Sequence, residues 1–448
     1  MALGALTYTL LQAMLVPALP VLQKELHTSQ ANVSWIFTAF LLSASIATPV
    51  LGRMGDMFGK RRMLIVVFSL VAAGSILAAV ATSLAVMVVA RVIQGVGAAV
   101  FPLAFGIIRD EFPQERVAGA IGGISAILGI GSGAGIVLAG PILDNLSWHW
   151  LFWAPAVGAF ITLIATILFI PESPVKTPGK VNVPAAILLA GWLAALLIAV
   201  SRGANWGWTS FNTLGLFAAA VLLFIGWVQI ETRSKEPLVD IKMMRIPAVW
   251  WTNIAALLFG FGMYSMMVVV PAFMATPSSE GYGFGSTATG VGVAMLPNTL
   301  GMLIVGLCIG RITHHFGSKR PLILGGLMNA GAVCFLAVFH DEVWMFVAAL
   351  TVFGFGIGLA FSALTNVIVE AVPREQTGVA TGMNANIRTI GGSIGSQVVS
   401  TIVVSGVAAG AAPHEAGYTN GLIVMASGLL AAGLVAIIIP VVKRGNDA

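Results

Sequence analysis

Charge is scarce in this chain. Only 9% of its 448 residues are Asp, Glu, Lys or Arg, against roughly 25% in soluble domains, which excludes an ordinary water-facing surface. The 17 acids sit at the edges of apolar stretches, and none lies in the middle of one. Cysteine is equally sparse. Cys308 and Cys334 fall in separate apolar stretches and read as small buried side chains, not a disulfide. No spacing of His, Cys, Asp and Glu fits a metal site, and His314 and His315 read as loop residues. The absence of a nucleophile–base constellation argues against an enzyme. The first apolar segment starts at residue 3 without a basic region or a small-residue cleavage site. It therefore reads as a retained helix, and its abrupt start hints at a missing short cytoplasmic leader.

Apolar residues fill the space that charge leaves. The chain is 58% hydrophobic, with a mean hydropathy of +0.97, and a membrane-spanning helix needs about 20 mostly apolar residues. Fourteen such spans are expected, near 3–22, 33–51, 63–82, 85–107, 118–140, 149–170, 184–201, 211–230, 249–274, 288–309, 321–339, 343–368, 378–404 and 421–442. With the N-terminus cytoplasmic, 18 of the 22 Lys and Arg fall on the cytoplasmic side. Only Lys24 and Arg202 fall opposite, while Arg91 and Arg388 lie inside helices. This positive-inside asymmetry puts both termini in the cytoplasm. The net charge of +5 then reflects topology, not nucleic-acid binding.

One loop occurs twice: GRMGDMFGKRR at 52–62 and GRITHHFGSKR at 310–320. Further on, Pro113/Pro373, Glu115/Glu375, Gly122/Gly382, Gly131/Gly391 and Gly135/Gly395 align at a slightly larger offset. The chain thus divides into a six-helix bundle over 1–175, an inserted hairpin of helices 7 and 8 over 176–235, and a second six-helix bundle over 236–448. Duplicated bundles of this kind are typical of secondary transporters.

Several residues carry chemistry. In the first loop, Gly52 and Gly59 let the chain reverse, and Asp56 could accept N–H groups at a helix start. A plainer reading is a topogenic turn in which Lys60, Arg61 and Arg62 only hold orientation. Arg91 is a cation inside helix 4, costly and usually functional. Gln94 stands one turn on, and Gly95 and Gly97 allow close backbone approach. The alternative is that Arg91 snorkels to the cytoplasmic interface. In helix 5, Gly129, Gly131, Gly133, Gly135 and Gly140, with Pro141, suit tight packing and bending. Asp144 and His149 near the outer mouth, Glu370 and Asp56 at the inner side, and Glu25 outside are the candidates for protonation. Gln12, Gln94, Asn253, Asn298, Asn366, Asn384, Asn386, Gln397 and Arg388 are candidates for a substrate cavity walled by Met and Phe. Each is alternatively a helix–helix hydrogen bond.

These features resemble the major facilitator superfamily, in particular its fourteen-helix drug:proton antiporter branch. Gly52-xxx-Asp56-xx-Gly59-Lys60-Arg61 looks like the family's loop 2–3 signature, and Arg91-xx-Gln94-Gly95-x-Gly97 like that of helix 4. Trp148-His149-Trp150-x-Phe152 resembles the start of helix 6, and 231–247 the linker into helix 9. The helix 5 signature gxxxGPxxGG is matched in part: Gly131 and Gly135 fit, while Ile136 replaces the proline, Ala139 replaces the first Gly of the pair, and Pro141 falls five residues late. Ala18-Leu19-Pro20 is present, yet Leu11-Gln12-Ala13-Met14 replaces the Asp usually found upstream, which disfavours a strongly cationic substrate.

The resemblance implies that Gly52, Asp56, Gly59, Lys60 and Arg61 form a cytoplasmic latch against helix 11. It implies a coupling role for Arg91, Gln94 and Gly95, and little direct transport role for the hairpin. The expected protein is a monomeric exporter in a bacterial plasma membrane, moving an amphipathic, drug-like small molecule by alternating access. Protons supply the energy, and no cofactor is expected. Metabolite uptake or symport, and a lipid-handling or regulatory membrane protein, are the alternatives.

Overall fold

The computed structural model describes all residues except 173–180, 235–236, 239–240, 373–376, 408–412 and 441–448. The expected boundaries at 175/176 and 235/236 lie outside the described residues, as do Pro373 and Glu375. The same holds for Lys176, Lys180, Lys235, Arg374, Lys443 and Arg444.

Among the described residues the chain is helical, without strands. Its long helices are α1 (Ala2–Glu25), α2 (Gln30–Phe58), α3 (Lys60–Ala79), α4 (Leu84–Ile108), α5 (Gln114–Asn145), α6 (Trp150–Phe169) and α7 (Val183–Trp206). They continue with α8 (Phe211–Arg233), α9 (Pro247–Ala275), α10 (Ala288–Phe316), α11 (Lys319–Val338), α12 (Val343–Ala371), α13 (Thr377–Val403) and α14 (Glu415–Ile438). Twelve are long and apolar enough to cross a membrane; the others, α5 and α13, have 32 and 27 residues. Each expected span coincides with a helix.

Local chemistry sets the helix ends. Ser29, Ser83, Asn182, Ser210 and Thr287 each accept an N–H from the first turn of the following helix at 3.2–3.4 Å, satisfying a donor that has no partner within the helix. Pro17 interrupts α1, which passes through a 3-10 turn at Val16–Ala18 because proline lacks the donor a helix needs.

The repeated loop is tighter than expected. Residues 52–58 continue α2 as helix, and Gly59 alone makes the turn, with φ of 111°, a backbone shape glycine adopts without strain. Gly52 is therefore a packing residue inside α2, facing Pro102 of α4. The second copy reverses likewise around Gly317, with φ of 71°. Helix α7 also runs beyond the expected 184–201 and takes in Arg202, since its small residues Ser201 and Gly203 do not stop the helix.

The bundle has two seams. Helix α2 packs along α13, and α5 along α10; α7 lies across both α2 and α13 and carries α8 on its far side. Phe211, Leu307 and Phe169 are bare on the outside, as suits a surface solvated by lipid. The end holding Gly59 and Gly317 is the basic end, where Lys60, Arg61, Arg62, Lys319 and Arg320 gather.

Candidate functional site

Arg91 is fully buried, at 0% exposure. It sits two turns from the Leu84 start of α4, the end away from the basic loops, and it does not snorkel. Its Nη1 donates to Gln94 Oε1 at 2.8 Å and its Nε to the Ile36 carbonyl of α2 at 3.1 Å. The guanidinium lies over the Phe40 ring, 4.1 Å from the centroid. Gln94 Nε2 donates to Ser75 Oγ of α3 at 3.0 Å. One cation thus ties α2, α3 and α4 together. Close approach is possible because a Cβ on Gly95 would meet the Phe40 carbonyl at 2.5 Å. Tyr8 stacks on Phe40 at 5.6 Å between ring centres and lies within electrostatic range of Arg91 and Tyr264.

Arg388 stands in α13. Its guanidinium lies over Phe361 of α12, 4.1 Å from the centroid, and Tyr264 of α9 lies within electrostatic range. Tyr264 in turn packs 5.9 Å from Phe37, so aromatic rings of α9 and α2 meet here. Asn384 does not join this group: its Nδ2 donates to Asn253 Oδ1 at 2.9 Å, a buried bond between α13 and α9. Gln12, Asn298 and Asn366 are half-buried at separate places along α1, α10 and α12. Asn329, which sequence reasoning passed over, is fully buried in α11, and both its amide atoms lack a partner among the described residues.

At the basic end, Lys60 is buried and pairs with Asp110 at 2.8 Å and with the half-exposed Asp56 at 3.2 Å. The carboxylate at the start of α3 is Glu172, accepting the Arg61 N–H at 3.2 Å and facing Arg62 at 3.7 Å. A negative charge there complements the helix dipole. Arg61 also donates to the Ile167 carbonyl at 2.7 Å. Glu370 accepts Ser318 Oγ at 2.8 Å. Ser318 and Glu370 match Lys60 and Asp110 in the repeat, a signal that aligning the acids as well as the glycines would have found.

At the opposite end the seams are closed. Thr38 and Ser396 hydroxyls are 3.1 Å apart, Ser34 Oγ reaches Gln397 Oε1 at 3.5 Å, and Trp35 Nε1 donates to Ser201 of α7 at 2.8 Å. Gly131 and Gly135 pack α5 on Thr9 and Ala13 of α1, while a Cβ on Gly140 would strike Thr289 of α10 at 2.5 Å. Pro141 adds a helix-end bond, its carbonyl accepting Asn145 Nδ2 at 2.9 Å. Asp144, beyond the apolar stretch of α5, accepts the Thr289 N–H at 3.1 Å and so caps the start of α10. Desolvation would raise its pKa, but hydrogen bonds from Thr289, Thr287 and the Ala288 N–H outweigh that and hold it below the usual carboxylate range. His149 stacks on Trp148, 3.8 Å between ring centres. The candidates for protonation are not brought together: Asp144 and His149 lie at this end and Glu370 at the other.

Comparison with known proteins identifies the family. The chain belongs to the Major Facilitator Superfamily, which it matches over residues 1–396. It is 30% identical to the tetracenomycin C resistance and export protein of Streptomyces glaucescens, over 88% of this chain and 73% of that one. It is 27% identical to the multidrug transporter protein MdtP of Bacillus subtilis, over 81% of this chain and 67% of that one. An autoinhibited peptide transporter of the POT family shares the fold, with a TM-score of 0.71 at 16% identity over 100% of this chain and 98% of that one. The protein is a multi-span membrane transporter of small molecules.

Proposed function

We propose that the chain is a proton-driven exporter of amphipathic, drug-like compounds, working by alternating access in a bacterial plasma membrane with both termini cytoplasmic. Fourteen helices span the membrane, as two pseudo-symmetric halves, α1–α6 and α9–α14, with α7 and α8 inserted between them. The observation that carries this reading is the pairing of closed seams at one end with loops bonded inside their own halves at the other. Thr38–Ser396, Ser34–Gln397 and Asp144–Thr289 join the halves away from the basic end. Lys60, Arg61 and Ser318 bond within their own halves at the basic end. Such a bundle opens toward the basic side and exchanges with its opposite by rocking one half against the other. The resistance and export roles named for relatives at 27–30% identity support the outward direction.

In this reading the loop around Gly52, Asp56, Gly59, Lys60 and Arg61 latches when the basic end closes. Arg91, Gln94 and Gly95 link the α2 wall to coupling. Everted vesicles expressing the protein should accumulate a fluorescent amphipathic drug when a proton gradient is imposed, and release it when the gradient collapses. Accumulation in right-side-out vesicles alone would replace export by uptake.

A further inference from the structure

Arg388 is a mid-helix cation without a hydrogen-bond partner among the described residues. Its buried Nε is orphaned, and among the described residues its guanidinium has only the Phe361 face at 4.1 Å and the neighbouring Tyr264. A cation within a membrane span normally pairs with an acid or with carbonyls, as Arg91 does with Gln94 and Ile36. Arg388 has no acid to pair with, because no Asp or Glu lies in the middle of any long helix of this chain. Its surroundings are aromatic: Phe361 beneath it, Tyr264 beside it, and Phe37 packed on Tyr264 from the other half.

We propose that Arg388 binds the carboxylate of an aromatic organic acid, whose ring lies among Phe361, Tyr264 and Phe37. This rests on the export reading and narrows its substrate class. A guanidinium offers two parallel N–H groups that match the two oxygens of a carboxylate. The aromatic faces contribute stacking area next to the charge. Since Arg388 and Phe361 belong to one half and Phe37 to the other, an occupant that touches all three bridges the halves and responds to their rocking.

The test compares two probes of nearly equal shape, 2-naphthoate and 2-naphthamide, binding to the purified full chain in lipid nanodiscs. The wild type should bind the acid at least about tenfold more tightly than the amide, as a charge-assisted hydrogen bond implies. Arg388→Gln should erase the preference while leaving amide affinity within about twofold, which also shows that the variant is folded. Arg388→Lys should keep a reduced preference, having charge without the fork. Should Arg388→Gln fail to fold, Phe361→Leu should still weaken naphthoate binding several-fold by removing the face under the guanidinium. Equal affinity for the two probes in chloride and chloride-free buffers, binding of neither, or a preference that survives Arg388→Gln overturns the proposal. If acid binding holds but no compound moves into everted vesicles, the export reading fails and the carboxylate site stands.

Discussion

Replacing Arg91 by lysine keeps a positive charge in α4 and removes its fork, which separates geometry from charge. The guanidinium spans two acceptors at once, Gln94 Oε1 at 2.8 Å and the Ile36 carbonyl at 3.1 Å, while lying over the Phe40 ring at 4.1 Å. A lysine ammonium can reach one acceptor, so Arg91→Lys loses one charge-assisted bond, about 1.5–3 kcal/mol. The loss matters beyond α4 because Ile36 sits between Ser34 and Thr38, the α2 residues that meet Gln397 and Ser396 of α13. Loosening α2 there weakens the closed seam. If the bond is made only while that seam is closed, transport should fall about tenfold to a hundredfold. The assay is proton-gradient-driven uptake into everted vesicles for the Arg, Lys and Ala forms at matched protein levels. Arg91→Ala should fall further, leaving Gln94 Oε1 without its donor. Full activity of the Lys form would refute the fork, and full activity of the Ala form would remove Arg91 from the mechanism.

Four further outcomes follow from the geometry. Asp110→Asn takes away the closer partner of the buried Lys60 charge, leaves Asp56 at 3.2 Å, and should destabilise the protein by about 1.5–3 kcal/mol, read as a lowered Tm. Asp56→Asn, on the half-exposed partner, should cost less than about 1 kcal/mol of stability yet weaken transport with substrate binding retained, as a latch requires. Asp144 is held below its ordinary value, so the stability it adds is present above the unfolded pKa and lost only as pH falls through the depressed one. Asp144→Asn should therefore leave the shape of the transport–pH profile between pH 5 and 8 unchanged, and a shifted profile would make it a proton carrier. Single cysteines replacing Trp208 and Arg233, at the two ends of the α7–α8 hairpin, should be labelled from outside and inside respectively; labelling of both from one side would remove the hairpin.

The helices were legible because membrane helices announce themselves by length and apolarity alone. The Arg91–Gln94 pair was legible for a similar reason, since residues three apart on a helix face each other. Partners that depend on how helices pack were not. Asp110 and Glu172 were not singled out, because only packing brings them to Lys60 and Arg61. Tyr8 and Tyr264 were lost among apolar residues because their neighbours come from other helices. The loop at 52–62 misled in the opposite sense: its charge suggested an irregular turn, whereas one glycine at φ of 111° suffices and the rest stays helical.

The account stands most directly on the closed seam between α2 and α13. In a background with Cys308 and Cys334 replaced, Thr38→Cys and Ser396→Cys put two thiols where hydroxyls now lie 3.1 Å apart. Oxidation should join them and stop drug accumulation in everted vesicles, and reduction should restore it, because the halves can no longer separate at that end. A cross-linked protein that transports at the uncross-linked rate would contradict alternating access across this seam.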